Sequence, residues 1–167
     1  MLIREAQLSD APAIARVHVD TWSTTYRGIV SEKHLASLSY EQRGKVWRDT
    51  LSRTDGLQSV FVAEEIGGEV AGFASGGPEG SEYTAYAGEL YVVYILESSQ
   101  RKGIGQRLTA ALAQRLLQDG MPSMLVWVLE QNHPARRFYE ALGGTLVREQ
   151  DITDRGWDAH RNRIRLG

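Results

Sequence analysis

Apolar and polar positions in this chain follow two periods, and the change from one to the other is sharpest across residues 89–117. Glu89, Leu90, Tyr91, Val92, Val93, Tyr94, Ile95 and Leu96 form a nearly unbroken apolar run, which predicts a buried strand. Glu97, Ser98 and Ser99 interrupt it, and Gln100, Arg101, Lys102, Gly103, Ile104, Gly105 and Gln106 follow. From there Ile104, Leu108, Ala111, Leu112 and Leu116 recur at three- and four-residue steps, the period of an amphipathic helix. The segment reads as strand, glycine turn and helix.

The flanking pattern fills in around it. Residues 2–6 predict a strand, and Ser9 or Asp10 caps a helix with Pro12 in its first turn and Ile14, Val17 and Thr21 on its inner face. His18 lies beside that face, as a packed residue or a functional one. Helical regions follow at 32–38 and 41–51, then paired strands at 59–64 and 69–76, with Gly67 and Gly68 supplying the positive backbone angles of a hairpin. Residues 77–81 read as a loop, and Tyr83 leads into the central strand. Gly120 and Pro122 stop the central helix, and residues 124–129 form a short buried strand. Asn132 then caps a helix with Pro134 in its first turn and Ala135, Phe138 and Leu142 as its apolar stripe, ended by Gly143 and Gly144. Strands at 145–150 and 157–166, joined by a polar turn at 151–156, complete the chain. In the last, Arg161, Arg163 and Arg165 alternate with Asn162, Ile164 and Leu166, which suits a half-exposed strand at an edge or a dimer contact.

Composition narrows the classes. At 167 residues and 42% hydrophobic, the chain suits one domain spanning 1–167. A net charge of -2 offers no basic field for nucleic acid, and no apolar segment approaches the roughly 18 residues of a membrane span, so a cytoplasmic protein is expected. The chain has no cysteine, which excludes disulfides and removes the best side-chain nucleophile for a covalent acyl-enzyme. His18, His34, His133 and His160 include no pair at metal-ligand spacing, so no metal is expected.

A helix entered through glycines presents unpaired amide hydrogens that an anion can fill. Gly103 and Gly105 would let a diphosphate approach the backbone, and Arg101 and Lys102 add charge there. Two familiar cradles fit poorly. A dinucleotide fingerprint lacks its third glycine, because Leu108 follows, and Met124 and Leu125 stand where the ribose-binding acid belongs. No Gly-Lys-Ser or Gly-Lys-Thr exists for a Walker loop. Gln100, Gly103 and Gly105 instead resemble, in register, the coenzyme A signature of the GNAT superfamily of N-acetyltransferases. A second resemblance is the strand followed by Asn132, then Tyr139, then the Leu142-Gly143 close. Together they cover roughly residues 86–144.

The resemblance implies an α/β (α+β) fold: a mixed, mainly antiparallel sheet flanked by helices and splayed at the acetyl-CoA site, between the strands ending near Leu96 and starting near Met124. A β-bulge in the first of these would let pantetheine pair with its backbone. Carried over from the family, the backbone of Val93, Tyr94 and Ile95 holds pantetheine and the thioester carbonyl. Arg101, Lys102, Gly103, Ile104, Gly105 and Gln106 hold the pyrophosphate, Asn132 fixes the pantetheine arm, and Tyr139 is the general acid. Trp22, Tyr26 and Arg27 border the acceptor, or simply pack. Glu89, an acid in an apolar run, is the candidate base or else a solvated strand-end carboxylate. Two departures stand out: Trp127 where some members carry a glutamate, and Glu97-Ser98-Ser99 where proline is usual. The expected activity is direct acetyl transfer from acetyl-CoA to a primary amine of a small molecule or peptide through a ternary complex. The alternative is a non-catalytic acyl-CoA binding or sensing domain of the same fold.

Overall fold

In the computed structural model, which describes residues 1–80, 86–151 and 160–166, the two sequence periods sort into one sheet and the helices on its faces. The strands are β1 (Leu2–Glu5), β2 (Ser59–Glu64), β3 (Val70–Pro78), β4 (Gly88–Ile95), β5 (Met124–Leu129), β6 (Thr145–Asp151) and β7 (His160–Leu166). The helices are α1 (Ala11–Thr25), α2 (Glu32–Ala36), α3 (Tyr40–Leu51), α4 (Ile104–Gln118) and α5 (His133–Ala141). The sheet runs β1-β2-β3-β4-β5-β7-β6, and every pairing is antiparallel except β4 with β5.

Each face buries its own cluster. On one side the stripe Ile104, Leu108, Leu112 and Leu116 of α4 packs on Leu90, Val126 and Ile164. On the other, Ile14 and Val17 of α1 and Trp47 of α3 pack on Val62 and Phe73. Arg4 ties β1 to both neighbours, with Asp10 at 2.7 Å and Glu64 at 2.6 Å. Asp10 stands at the N-cap of α1, yet its carboxylate turns to Arg4 and to the Gln7 amide instead of capping the helix. The hydrogen bond from Arg4 is the main cause holding that carboxyl below its ordinary pKa.

Three expectations change. Only Gly68 has a positive φ in the β2–β3 hairpin, at 84°, because the Gly68 amide closes a turn onto the Glu65 carbonyl and Gly67 is not left-handed. β3 continues through Gly77 to Pro78, where a loop is expected, since it still pairs with Glu89 and Gly88. β7 is interior, between β5 and β6, so its arginine alternation marks no edge: Ile164 and Leu166 are buried and Arg165 is exposed. Tyr83, Trp157 and residues 152–156 of the expected turn lie outside the described residues.

The parting of β4 from β5 matters most. Their parallel pairing joins only Gly88 to Met124, Glu89 to Leu125 and Leu90 to Val126. On the β3 side Gly76 pairs with Leu90 and Ser75 with Val92, which leaves Tyr91 as the extra residue of a bulge. The bulge resets the strand's alternation, so Leu90, Val93 and Ile95 all face the α4 cluster, and Val92 and Tyr94 face the α1 cluster. Gly76 makes this possible. A Cβ there would lie 2.5 Å from the Glu89 carbonyl oxygen and 2.8 Å from Leu112 Cδ2. Gly76→Ala is therefore expected to destabilise the fold by about 3 kcal/mol, measured by denaturant unfolding.

Candidate functional site

Beyond Leu90 and Val126 the parted strands open a cleft of ≈ 930 Å³. Residues 91–95 of β4 form one wall, Val126, Trp127 and Val128 of β5 another, and the start of α4, the end of α1 and α5 close the rest. The backbone of β4 along this wall has lost its β5 partner. Its polar groups on that side are consequently open to a ligand.

At one end of the cleft α4 begins with no side-chain cap. Gly103 occupies the N-cap with φ 77°, and Arg101 is the only non-glycine residue at positive φ among the described residues, at 59°. The first intrahelical bond joins the Arg107 amide to the Gly103 carbonyl, so the preceding amides have no partner within the helix. Such a terminus favours a bound anion. Gly105 holds it close: a Cβ there would lie 3.1 Å from both Ile95 and the Phe138 ring. Gln100 donates its side-chain amide to the Ile95 carbonyl at 3.1 Å, fixing the turn to the strand and occupying that carbonyl.

Tyrosines gather at the other end. Trp22 Nε1 donates to the Tyr94 hydroxyl at 2.9 Å, and the Tyr26 hydroxyl faces both Tyr94 and the side chain of Asn132. Asn132 is buried and caps α5 by accepting the Ala135 amide at 3.2 Å, which leaves its NH₂ for the cleft side. Burial pushes the phenols of Tyr26, Tyr94 and Tyr139 upward, and the proximity of Tyr26 adds to the effect on Tyr139. For Tyr26 the polar contacts with Tyr94 and Asn132 offset part of the rise. All three therefore stay protonated at neutral pH, as hydrogen-bond donors.

The cleft brings together Tyr26, Val93, Tyr94, Ile95, Arg101, Gly103, Ile104, Gly105, Gln106, Asn132 and Tyr139. Four sequence candidates do not line it. Lys102 and Arg27 are exposed away from the wall, and Trp22 stands behind it, its ring tilted 47° to that of Tyr26 with centroids 4.6 Å apart. Glu89 sits in the still-paired part of β4, beside Tyr91, whose hydroxyl donates to the Pro78 carbonyl at 2.7 Å. Glu89 is not among the residues that line the cleft. Tyr91, Arg137 and Thr21 line the cleft without having been singled out as site residues. Tyr91 is invisible as a bulge because Gly76, across the ladder, sets it. Arg137 lies on α5 two residues before Tyr139.

His18 is resolved as a packed residue. Its ring lies among Trp22, Trp47, Phe73 and Tyr94, and Trp47 Nε1 donates to its Nδ1 at 3.2 Å. The neutral ring then carries its proton on Nε2 and accepts none there. Among the described residues no His, Asp or Glu group is placed to hold a metal ion, and no helix is long and apolar enough to cross a membrane.

Residues 17–144 match the profile of the Acetyltransferase (GNAT) family. An uncharacterized N-acetyltransferase, YuaI of Bacillus subtilis, is 47% identical over 90% of this chain and 83% of its own length. A probable N-acetyltransferase of Mycobacterium tuberculosis, Rv2775, is 32% identical over 83% of this chain and 76% of its own. The fold is similar to that of the PaiA N-acetyltransferase of Thermoplasma acidophilum in complex with coenzyme A, with a TM-score of 0.79 and 20% identity over 97% of this chain and 96% of that one. The chain belongs to the acetyltransferase (GNAT) family.

Burial lowers the His18 pKa from 6.5 to about 4, with Arg43 adding to it. A depressed folded-state pKa stabilises the fold fully above pH 6.5, and that stability is lost as pH falls toward the folded value. The loss is on the order of 3 kcal/mol. Thermal melts of His18→Gln are expected to show a flatter stability profile between pH 6.5 and 4 than the wild type.

Proposed function

We propose that this protein is an N-acetyltransferase that moves an acetyl group directly from acetyl-CoA to a primary amine of a small molecule or peptide, in a ternary complex. The observation that carries the reading is the β4–β5 wedge running without interruption to the open start of α4. An extended cleft ending at open helix amides suits a phosphate-ended arm that carries a thioester. Family membership makes acetyl-CoA the cosubstrate, and the coenzyme A complex of the PaiA relative agrees.

In this reading Val93 and Tyr94 pair with pantetheine through their backbone, in the manner of an added strand. Arg101 and the amides of residues 103–106 take the pyrophosphate, and the Asn132 NH₂ steadies the arm. Lys102 contributes charge only at long range. With no cysteine in the chain, no thiol can form an acyl-enzyme, which supports direct attack of the amine nitrogen on the thioester carbon. The C–N bond forms, the C–S bond breaks, and Tyr139 hydrogen-bonds and donates its proton to the departing sulfur. Burial raises its pKa, which keeps Tyr139 protonated as a hydrogen-bond donor to the developing thiolate and makes full transfer of its proton to that more acidic thiol uphill.

A primary amine with a pKa near 10 arrives mostly protonated, so a base must collect its proton. Glu89 acts through water past Tyr91, consistent with its place just behind the cleft. Tyr26 borders the acceptor, and Trp22 supports that wall from behind.

Thermal stability in parallel with acetyl-CoA, coenzyme A, NAD and ATP tests the donor site. Acetyl-CoA at a hundred times its Kd is expected to add about 2.7 kcal/mol, and a preference for NAD or ATP would refute the reading. Tyr139→Phe is expected to retain that shift while losing about 10²-fold or more in kcat, measured as acetyl-CoA consumption across an amine panel; unchanged turnover would remove Tyr139 as the acid. Glu89→Gln is expected to lose activity most at the lower end of the pH-rate profile, where the amine is most protonated. A profile parallel to the wild type would assign the proton to solvent.

A further inference from the structure

The turn that leads into the open amides of α4 has no proline to stiffen it, since Glu97, Ser98 and Ser99 form its entry. Its shape is also costly. Arg101 lies in the left-handed region at φ 59°, and a residue with a side chain stays there only where its surroundings fix it. Local bonds supply part of that support: the Ser99 amide donates to the Leu96 carbonyl at 2.8 Å, and the Gln100 amide to the Glu97 carbonyl at 3.2 Å. Both close the turn on itself and would travel with it.

A further bond ties the turn to a distant element. Ser99 Oγ donates to Glu65 Oε1 at 3.0 Å, across 34 residues of sequence. Ser99 is only 5% exposed, although Ser98 and Gln100 on either side of it are exposed. Glu65 follows the end of β2, where its amide donates to the Glu69 carbonyl at 2.8 Å and its carbonyl accepts the Gly68 amide at 2.9 Å. Arg16 of α1 pins the same hairpin, 2.9 Å from Glu69 and 3.2 Å from the Val70 carbonyl. Glu65 is therefore a fixed post, and a hydroxyl donating to a carboxylate is one of the stronger hydrogen bonds. Neither Ser99 nor Glu65 lines the cleft.

We infer that Ser99 and Glu65 are positioning residues for the diphosphate end of the cleft: their bond holds the turn, with Arg101 and the amides of residues 103–106, in its binding shape before acetyl-CoA arrives. The inference rests on the acetyl-CoA reading above. Preorganisation of this kind strengthens binding by removing an ordering cost. It also fixes a sign. By charge alone, a carboxylate bonded to this turn repels a diphosphate, so removing it would tighten binding. By positioning, removing it weakens binding.

The test titrates acetyl-CoA calorimetrically into wild type, Ser99→Ala, Glu65→Ala, the double variant, Glu65→Gln and Ser98→Ala, well below the melting temperature of each free protein. Ser99→Ala and Glu65→Ala are each expected to raise Kd about 10-fold, and the double variant no more than either, because both remove one bond. Glu65→Gln keeps an acceptor oxygen and is expected to recover most of the loss, and Ser98→Ala leaves Kd unchanged. A lowered Tm with wild-type Kd would make the bond merely structural and overturn the inference. So would tighter binding by Glu65→Ala, or losses that multiply in the double variant. A wild type that binds no acetyl-CoA would instead strike the acetyl-CoA reading, and this inference would fall with it.

Discussion

The structure depends on a ladder that stops early. β4 and β5 share three paired positions and then separate, although both strands continue. A backbone that leaves its partner inside a protein normally incurs a desolvation cost. Here that cost is limited because β3 still holds β4 on its other side through the bulge, and because α4 and α5 pack against the lips of the opening. The cleft is therefore a property of the sheet itself. Gly76 sits at its hinge, where backbone and the Leu112 side chain leave room for hydrogen alone.

Around the cleft the chain keeps charge and neutrality apart. The end at α4 offers backbone amides and Arg101 to an anion. The end at α1 is made of neutral phenols and hydroxyls, backed by a histidine that burial holds unprotonated. Acyl transfer to an amine needs both. In the proposed reaction the diphosphate would be held by charge that remains outside the chemistry, and the reacting nitrogen would meet a wall without a charge of its own.

Much of this was legible in the sequence, for identifiable reasons. The switch from an apolar run to a helical stripe located β4 and α4, since burial on both faces and on one face leave different periods. Asn132 and Pro134 located the start of α5 because capping is local chemistry. Sequence reasoning failed where the determinant lay across the sheet. The bulge expected in β4 is present, but its place at Tyr91 is set by Gly76 across the ladder, and β7 is interior because β6 returns to cover it. That Glu89 stays out of the cleft lining follows from the three-residue parallel pairing, which its apolar neighbours in sequence do not reveal.

The bulge at Tyr91 also divides β4 in time. Before it, amides have neighbours on both edges and open only when the sheet does. After it, those directed toward β3 remain protected, and those directed toward the wedge face solvent in the free protein. One strand thus carries slow and fast hydrogen exchange in alternation, and an extended ligand laid in the wedge would make the fast set slow. The half of β4 that the fold leaves unfinished is the half on which occupancy is written.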